Sequence, residues 1–268
     1  ERVEILILDE ADHMLDLGFI KDIRDVMRFL PKKRQTLFFS ATIDEKIKKI
    51  AYSLVSKAAI RIQISPRNPV SKRVDHFVTY IAMDDKRFFL ERLINQNPEA
   101  KILVFVRTKV RAERVKKAMD RVGINSLTMH GDKGQKDRFA VMNQFKSGKV
   151  KVLVATDVSA RGIDIPDVGY VVNYDLPEQA ENYVHRIGRT GRGTSRGFAI
   201  SFCSPDEKPL LTAIEGYITK PITEMVLDEA DYDATITFSN AARPDWESLN
   251  KEMEAFEESQ RKKRKKRK

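Results

Sequence analysis

The 268-residue chain contains a single cysteine and four histidines. Cys203 has no second cysteine to pair with, so an internal disulfide and a multi-cysteine zinc site are both excluded. The scattered histidines also disfavour a structural zinc site. One cysteine is consistent with a reducing compartment, and we expect a cytoplasmic protein.

Long apolar runs are absent as well. No apolar stretch of the sequence is long enough to cross a bilayer, so we expect no membrane partner. With 41% hydrophobic residues, the chain can still bury a substantial core in one large domain or two. The sequence starts at Glu1, four residues before an apolar run, and we therefore expect it to be the carboxyl-terminal part of a longer protein.

The net charge of +10 is unevenly distributed. Residues 261–268 are all basic, whereas residues 221–260 carry eleven acids against two bases. Residues 1–220 therefore hold a charge of +11. A basic body favours a polyanionic partner through phosphate contacts, although a solvated charged surface would have the same composition.

Apolar runs and helical spacing alternate in the first quarter of the chain. Residues 5–8 form an unbroken apolar run, which is typical of a parallel strand buried on both faces. Further strands are predicted at 36–39 and 59–64, with helices at 20–30 and 45–54. This order indicates part of a doubly wound parallel sheet.

A second set of α/β units follows a segment with two prolines and no periodicity, which starts at Ser65. The fold class is therefore α/β, with two doubly wound domains of which the first is incomplete. We place the first domain at 1–65, a linker at 66–75, the second domain at 76–220 and an acidic extension at 221–268. Strands of the second domain are predicted at 76–81, 102–106, 126–129, 152–156, 170–174 and 197–202.

The carboxyl-terminal extension has a helical pattern of its own. Pro244 can begin a helix with an apolar face, which packs on its own domain or binds a partner. The final basic run is predicted to be disordered.

Three polar constellations follow predicted strands. The acids Asp9, Glu10 and Asp12 come directly after the run 5–8 and could hold a magnesium nucleotide and activate water, or simply be solvated. Polar residues from Thr156 to Asp164 follow another buried strand, where open sheets bind ligands, unless they form only a polar turn.

The third constellation is the segment from His185 to Gly193. Its arginines recur at every third position, 186, 189 and 192, and its glycines allow close approach of the backbone. A guanidinium fork suits phosphate oxygens, so the segment can supply an arginine finger; the alternative is a basic surface loop.

Six ordered motifs lie within residues 1–215: Asp9-Glu10-Ala11-Asp12, Ser40-Ala41-Thr42, Val104 to Thr108, His130-Gly131-Asp132 with Gln135 and Arg138, Thr156 to Asp164, and His185 to Arg192. Together they resemble those of a DEAD-box ATP-dependent RNA helicase of superfamily 2, and the basic tail is similar to that of the bacterial RhlE-type subgroup.

The resemblance implies two RecA-like domains, ATP and Mg²⁺ as cofactors, RNA as the partner, and roles for single residues. Asp9 matches the acid that positions Mg²⁺ through water, and Glu10 the acid that activates the attacking water. The residues that match positions coupling the nucleotide site to domain closure are Asp12, Ser40, Thr42 and His185. The residues that match ATP contacts are Asp164, Arg189 and Arg192, and both arginines are also catalytic. The residues that match contacts to the RNA backbone are Thr108, Gly131, Gln135, Arg138 and Thr156.

These roles imply an RNA-stimulated ATP hydrolase that unwinds short duplexes as two domains close and open. The segment alone should be nearly inactive, because the phosphate loop would lie upstream. Ribosomal or RNA-degradation partners are compatible with it. The alternatives are a non-hydrolysing RNA clamp or assembly factor on the same fold, and a DNA-directed helicase.

Overall fold

The chain forms two compact units, Glu1–Pro66 and Arg67–Lys268. The computed structural model describes residues 3–16, 18–40, 45–56, 58–64, 69–160, 165–192 and 195–240. Each unit has a parallel sheet of its own. Within the described ranges, no helix is both long and apolar enough to cross a membrane.

The first unit is a small α/β layer with two parallel strands. Leu6 pairs with Thr36, and the helices cover one side of the pair through Ile23, Ile47 and Leu54. The predicted strand at 5–8 and both predicted helices are confirmed. In chain order the elements are β1 Ile5–Leu8, α1 Ala11–Asp16, α2 Ile20–Phe29, β2 Gln35–Phe38 and α3 Glu45–Leu54.

Two predictions for the first unit are wrong. Strand β1 is not buried on both faces, because Ile5 and Ile7 are 55% and 58% exposed. Residues 59–64 do not form a strand, and Ile60, Ile62 and Ile64 of this segment are at least 80% exposed. A strand needs a neighbour for its backbone hydrogen bonds. Among the described residues of this unit, only β1 and β2 pair with each other.

The second unit contains a parallel sheet of seven strands. The strands are β3 Val74–Tyr80, β4 Lys101–Phe105, β5 Ser126–Met129, β6 Val152–Ala155, β7 Val168–Asn173, β8 Gly197–Cys203 and β9 Thr223–Glu224. Their order across the sheet is β5-β6-β4-β7-β8-β3-β9. All six strands predicted for this unit are present, with ends shifted by no more than two residues.

Helices lie on both faces of this sheet. The central strands β4 and β6 are almost completely buried, as expected for strands covered on both sides, and each face carries its own apolar cluster. The helices are α4 Lys86–Gln96, α5 Lys109–Arg121, α6 Gln135–Lys146, α7 Asp157–Ala160, α8 Ala180–Ile187, α9 Lys208–Ile218 and α10 Glu229–Asn240, with a 3₁₀ turn at Pro205–Glu207.

Helix α10 was not predicted, since it lies in the acidic extension. It packs on α4, where the Tyr232 and Phe89 rings are 4.9 Å apart and the Tyr232 hydroxyl donates to Asp85 over 2.9 Å. The Ser239 hydroxyl donates to the buried carboxylate of Glu91 over 2.6 Å. Residues 229–240 are therefore a packed part of the second unit. The predicted helix from Pro244 and the basic tail lie outside the described residues.

The turn after α8 passes very close to the start of β3. Gly191 has a φ of +66°, and a β-carbon there would come within 2.8 Å of Val74 Cγ2 and 2.9 Å of the Arg73 carbonyl oxygen. A β-carbon on Gly197 would overlap the Thr190 side chain. Only glycine fits this crossing, because both the backbone angle and the space exclude a side chain.

We expect Gly191→Ala to lower the free energy of unfolding by about 1–3 kcal/mol, since the methyl group must displace the β3 backbone. Gly216→Ala is the matched control. Gly216 lies inside α9 with nothing within 4 Å of the added carbon, so that variant should gain up to about 1 kcal/mol. Urea denaturation measures both. Equal stability of Gly191→Ala and the parent would contradict this account of the crossing.

Candidate functional site

In the first unit, the predicted acids lie at the carboxyl end of β1. Asp9 is exposed, and its Oδ1 accepts a hydrogen bond from the Glu10 amide over 2.9 Å. Glu10 has a φ of +48°, an uncommon left-handed conformation for a residue other than glycine. The chain then turns inward, because Ala11 and Asp12 are 1% and 6% exposed. Asp9 is therefore exposed and Glu10 partly buried, directly before two buried residues.

The same turn is bonded to the end of β2. The Phe39 amide donates to the Leu8 carbonyl over 2.8 Å, and the Ala11 amide donates to the Phe39 carbonyl over 3.0 Å. These bonds continue the strand pair beyond β1, and Ser40 is the residue that follows Phe39. Thr42 lies outside the described residues.

In the second unit, three predicted RNA-contact loops share one sheet edge. Thr108 follows β4, Gly131 follows β5 and Thr156 follows β6, and these three strands are neighbours. Because parallel strands end at the same edge, the loops lie side by side. Thr108, Gly131 and Gln135 are exposed, and Arg138 is partly buried one turn along α6.

Hydrogen bonds fix these loops from below. The Thr108 hydroxyl caps α5 by accepting from the Arg111 amide over 3.1 Å. Thr156 is only 8% exposed, and its hydroxyl lies 3.0 Å from that of Ser159, which donates to the Met129 carbonyl over 2.6 Å. The Ser159 side chain therefore bonds to the end of β5, and the Thr156 hydroxyl at the end of β6 contacts it.

Glu113 of α5 holds the start of the loop that contains Gly131. Its Oε1 accepts from the Thr128 hydroxyl over 2.7 Å and lies 2.9 Å from His130 Nε2. Burial alone would raise the pKa of Glu113, but these hydrogen bonds together with the nearby charge of Lys133 lower it. The carboxylate is therefore charged at neutral pH and anchors His130.

Arg186 differs from the other two arginines of its segment. It is 1% exposed, and its guanidinium makes a two-pronged ion pair with Asp157, over 2.5 and 2.8 Å. It also donates to the Asn173 side chain over 3.2 Å and to the Asp175 carbonyl over 2.7 Å. The donors of Arg186 are therefore used inside the fold, which agrees with the assignment of the phosphate role to Arg189 and Arg192 only.

Arg189 and Arg192 lie on the turns that follow Arg186. Each is partly buried. Arg189 Nε donates to the His185 carbonyl over 3.3 Å, and Arg192 Nε donates to the Gly188 carbonyl over 3.1 Å. These bonds hold the inner part of each side chain against the end of α8. His185 is also partly buried on the same helix. Asp164, the predicted ribose contact, lies outside the described residues.

Sequence reasoning missed a buried charge cluster at this sheet edge. Glu207 and Lys86 form an ion pair and are 1% and 0% exposed. Burial would raise the pKa of Glu207, but Lys86 and the hydrogen bonds lower it, so the carboxylate is charged. The Ser-x-x-Glu spacing from Ser204 is the sequence signature of a capping box, which the structure contains. That signal could have identified Glu207 but not its partners.

The family models match both units. The model of the DEAD/DEAH box helicase matches residues 1–50, and that of the helicase conserved C-terminal domain matches residues 85–194. The ATP-dependent RNA helicase RhlB of Shewanella woodyi is 42% identical over 222 residues, which are 82% of this chain and 50% of that protein. The ATP-dependent RNA helicase CshA of Listeria monocytogenes is 40% identical over 86% of this chain and 45% of its own length.

Solved structures of helicases superpose on the chain as well. Dbp5 of S. cerevisiae, bound to RNA and ADP BeF3, aligns with a TM-score of 0.78 and 32% identity over 91% of this chain and 64% of its own. The E. coli DEAD-box protein SrmB, bound to regulator of ribonuclease activity A, aligns with a TM-score of 0.55 and 38% identity over 59% of this chain and 94% of its own.

The chain spans about half the length of the curated relatives that it matches. These relatives are RhlB and CshA proteins, so the RhlE-type subgroup stays a prediction. The order of the motifs, the parallel sheets and the alignments all agree with the DEAD-box family. On this basis the chain belongs to the DEAD-box helicase family.

Proposed function

We propose that the protein to which this chain belongs is an ATP-dependent RNA helicase that locally unwinds or remodels RNA duplexes. The observation that carries the proposal is the pair between Asp157 and Arg186. Asp157 directly follows Thr156 at the proposed RNA edge, and Arg186 lies on the helix that leads to Arg189. This ion pair thus connects the end of β6, where Thr156 lies, to helix α8, which leads to Arg189.

The acids of the first unit are proposed to serve ATP. Asp9 is an exposed carboxylate, the kind of hard oxygen ligand that Mg²⁺ takes directly or through water, and Mg²⁺ would neutralise charge on the phosphates. Glu10 would orient and deprotonate the attacking water. Its left-handed backbone sets the direction of the carboxylate, which supports a role that depends on orientation.

Arg189 and Arg192 are proposed to stabilise charge on the γ-phosphate when the two domains close on ATP and RNA. Asp164 would contact the ribose of ATP. Asp12, Ser40, Thr42 and His185 would transmit closure between the nucleotide and the rest of each domain. Because both ligands favour the closed state, each should raise the affinity of the protein for the other.

RNA recognition is proposed to use the backbone of the strand. Thr108, Gly131 and Gln135 present a hydroxyl, an open glycine and an amide at one surface, and Arg138 adds a positive charge. Contacts of this type read phosphates and 2′-hydroxyls, so sequence specificity should be low. Ribosomal and RNA-degradation assemblies are compatible partners, and a cytoplasmic location fits both.

In the full-length protein, we expect Glu10→Gln to lower RNA-stimulated ATP turnover by at least about 100-fold, because the amide cannot accept the proton of water. Binding of ATP and RNA should persist. Glu45→Gln is the matched control, since Glu45 is an exposed acid of the same unit that pairs only with Lys48 in the described structure. Unchanged turnover in Glu10→Gln would favour the non-hydrolysing clamp.

We also expect the basic tail to add phosphate contacts. Replacing all eight basic residues of 261–268 by serine should weaken RNA binding without regard to sequence. The slope of log affinity against log salt should flatten by up to about 6, at roughly 0.7 per single-strand phosphate contact. A serine-substituted tail with the parent's salt slope would show that the tail does not bind RNA.

A further inference from the structure

The carboxylate of Glu207 accepts five hydrogen bonds. Its Oε1 accepts from Arg107 Nη2 over 2.9 Å and from the Leu176 amide over 3.1 Å. Its Oε2 accepts from both the amide and the hydroxyl of Ser204 over 3.1 Å, and from Lys86 Nζ. The residue is 1% exposed, so one buried charge serves donors from four segments of the chain.

Two of those segments lead to different parts of the proposed site. Arg107 directly precedes Thr108, the proposed RNA contact after β4. Leu176 lies in the loop between β7 and α8, and α8 leads to Arg189. Glu207 is the group that both loops share, because each donates to the same carboxylate oxygen.

Asp175 adds a second connection between the same loops. Its Oδ2 accepts from the Arg107 amide over 3.1 Å, while its backbone carbonyl accepts from Arg186 over 2.7 Å. Lys86 also donates to the carbonyl of Tyr174, the residue before Asp175, over 2.8 Å. These bonds connect the β4–α5 loop, which contains Thr108, to the loop that leads into α8.

We propose that Glu207 is a positioning residue that links RNA binding at the β4–α5 loop to the placement of the arginines that follow α8. This inference rests on the proposed helicase function. It assigns Arg107 the role of the tether by which Thr108 is held to Glu207. Such a link provides a physical route within the second unit for the coupling between RNA and ATP.

The test is the affinity of the full-length protein for a fluorescent polyuridine oligonucleotide, measured with and without ADP and beryllium fluoride. The ratio of the two affinities reports the coupling. We expect Glu207→Gln to lower this ratio at least about fivefold, against a usual coupling of about 5- to 150-fold. Arg107→Met should lower the ratio as well, and should add nothing in the Glu207→Gln background.

Glu91→Gln is the matched control, because Glu91 is a buried glutamate of the same unit that holds α10 through Ser239. If Glu207 only stabilised the fold, Glu207→Gln and Glu91→Gln would have the same affinity ratio whenever their melting temperatures are the same. The inference predicts a loss of coupling in Glu207→Gln alone.

Removing one charge of a buried pair can prevent folding, so a second variant replaces both partners. Lys86→Met with Glu207→Leu leaves no unpaired buried charge and should fold, yet it still removes the anchor of Arg107 and Leu176. It should lose the coupling too. A parental ratio in this double variant, or in folded Glu207→Gln, overturns the inference. A parent protein without RNA-stimulated ATP turnover would instead overturn the proposed function itself.

Discussion

The buried guanidinium of Arg186 is the constraint on which the second unit depends. A charge that is 1% exposed is tolerated only when its donors are paired, and Arg186 pairs with Asp157, Asn173 and the Asp175 backbone. These partners lie at the ends of β6 and β7, so the guanidinium fixes α8 against the edge of the sheet. Arg189 and Arg192 follow that helix, so its position sets theirs. A packing interaction of Arg186 thereby determines where the two proposed catalytic arginines lie.

Sequence patterns predicted the second unit well where burial alone decides structure. Apart from Lys101, strands β4 and β6 consist of apolar residues, and their ends were predicted to within one residue, because a covered parallel strand needs no other signal. The arginine segment shows the limit of periodicity. Three arginines at equal spacing look equivalent in sequence. Arg186 differs because it bonds to Asp157, 29 residues away, and to Asn173 and the Asp175 backbone. Lys86 and Glu207 are 121 residues apart, and no local pattern could pair them.

The first unit was predicted less well, for a related reason. The isoleucines of β1 and of residues 59–64 have the composition of buried strands, yet burial requires neighbouring strands and covering helices. In the described structure, β1 pairs with β2 and with no other strand, and the chain covers about half of its curated relatives. Helix α10 was not predicted, because polar contacts hold it as much as apolar ones. Its Tyr232, Thr235 and Ser239 side chains form hydrogen bonds with α4 or with the turn before α4. The resemblance identified candidate residues, and the structure placed Thr108, Gly131 and Thr156 at one edge.

The most direct test of this account is a double-mutant cycle between Arg186 and Asp157, read as the free energy of unfolding of Arg186→Met, Asp157→Ala and the combined variant. We predict that the pair is coupled by at least about 2 kcal/mol, because either single change leaves its partner's charge without a counterion. Additive effects, with a coupling within about 0.5 kcal/mol of zero, would show that Asp157 does not hold Arg186. The positions of Arg189 and Arg192 would then need another explanation.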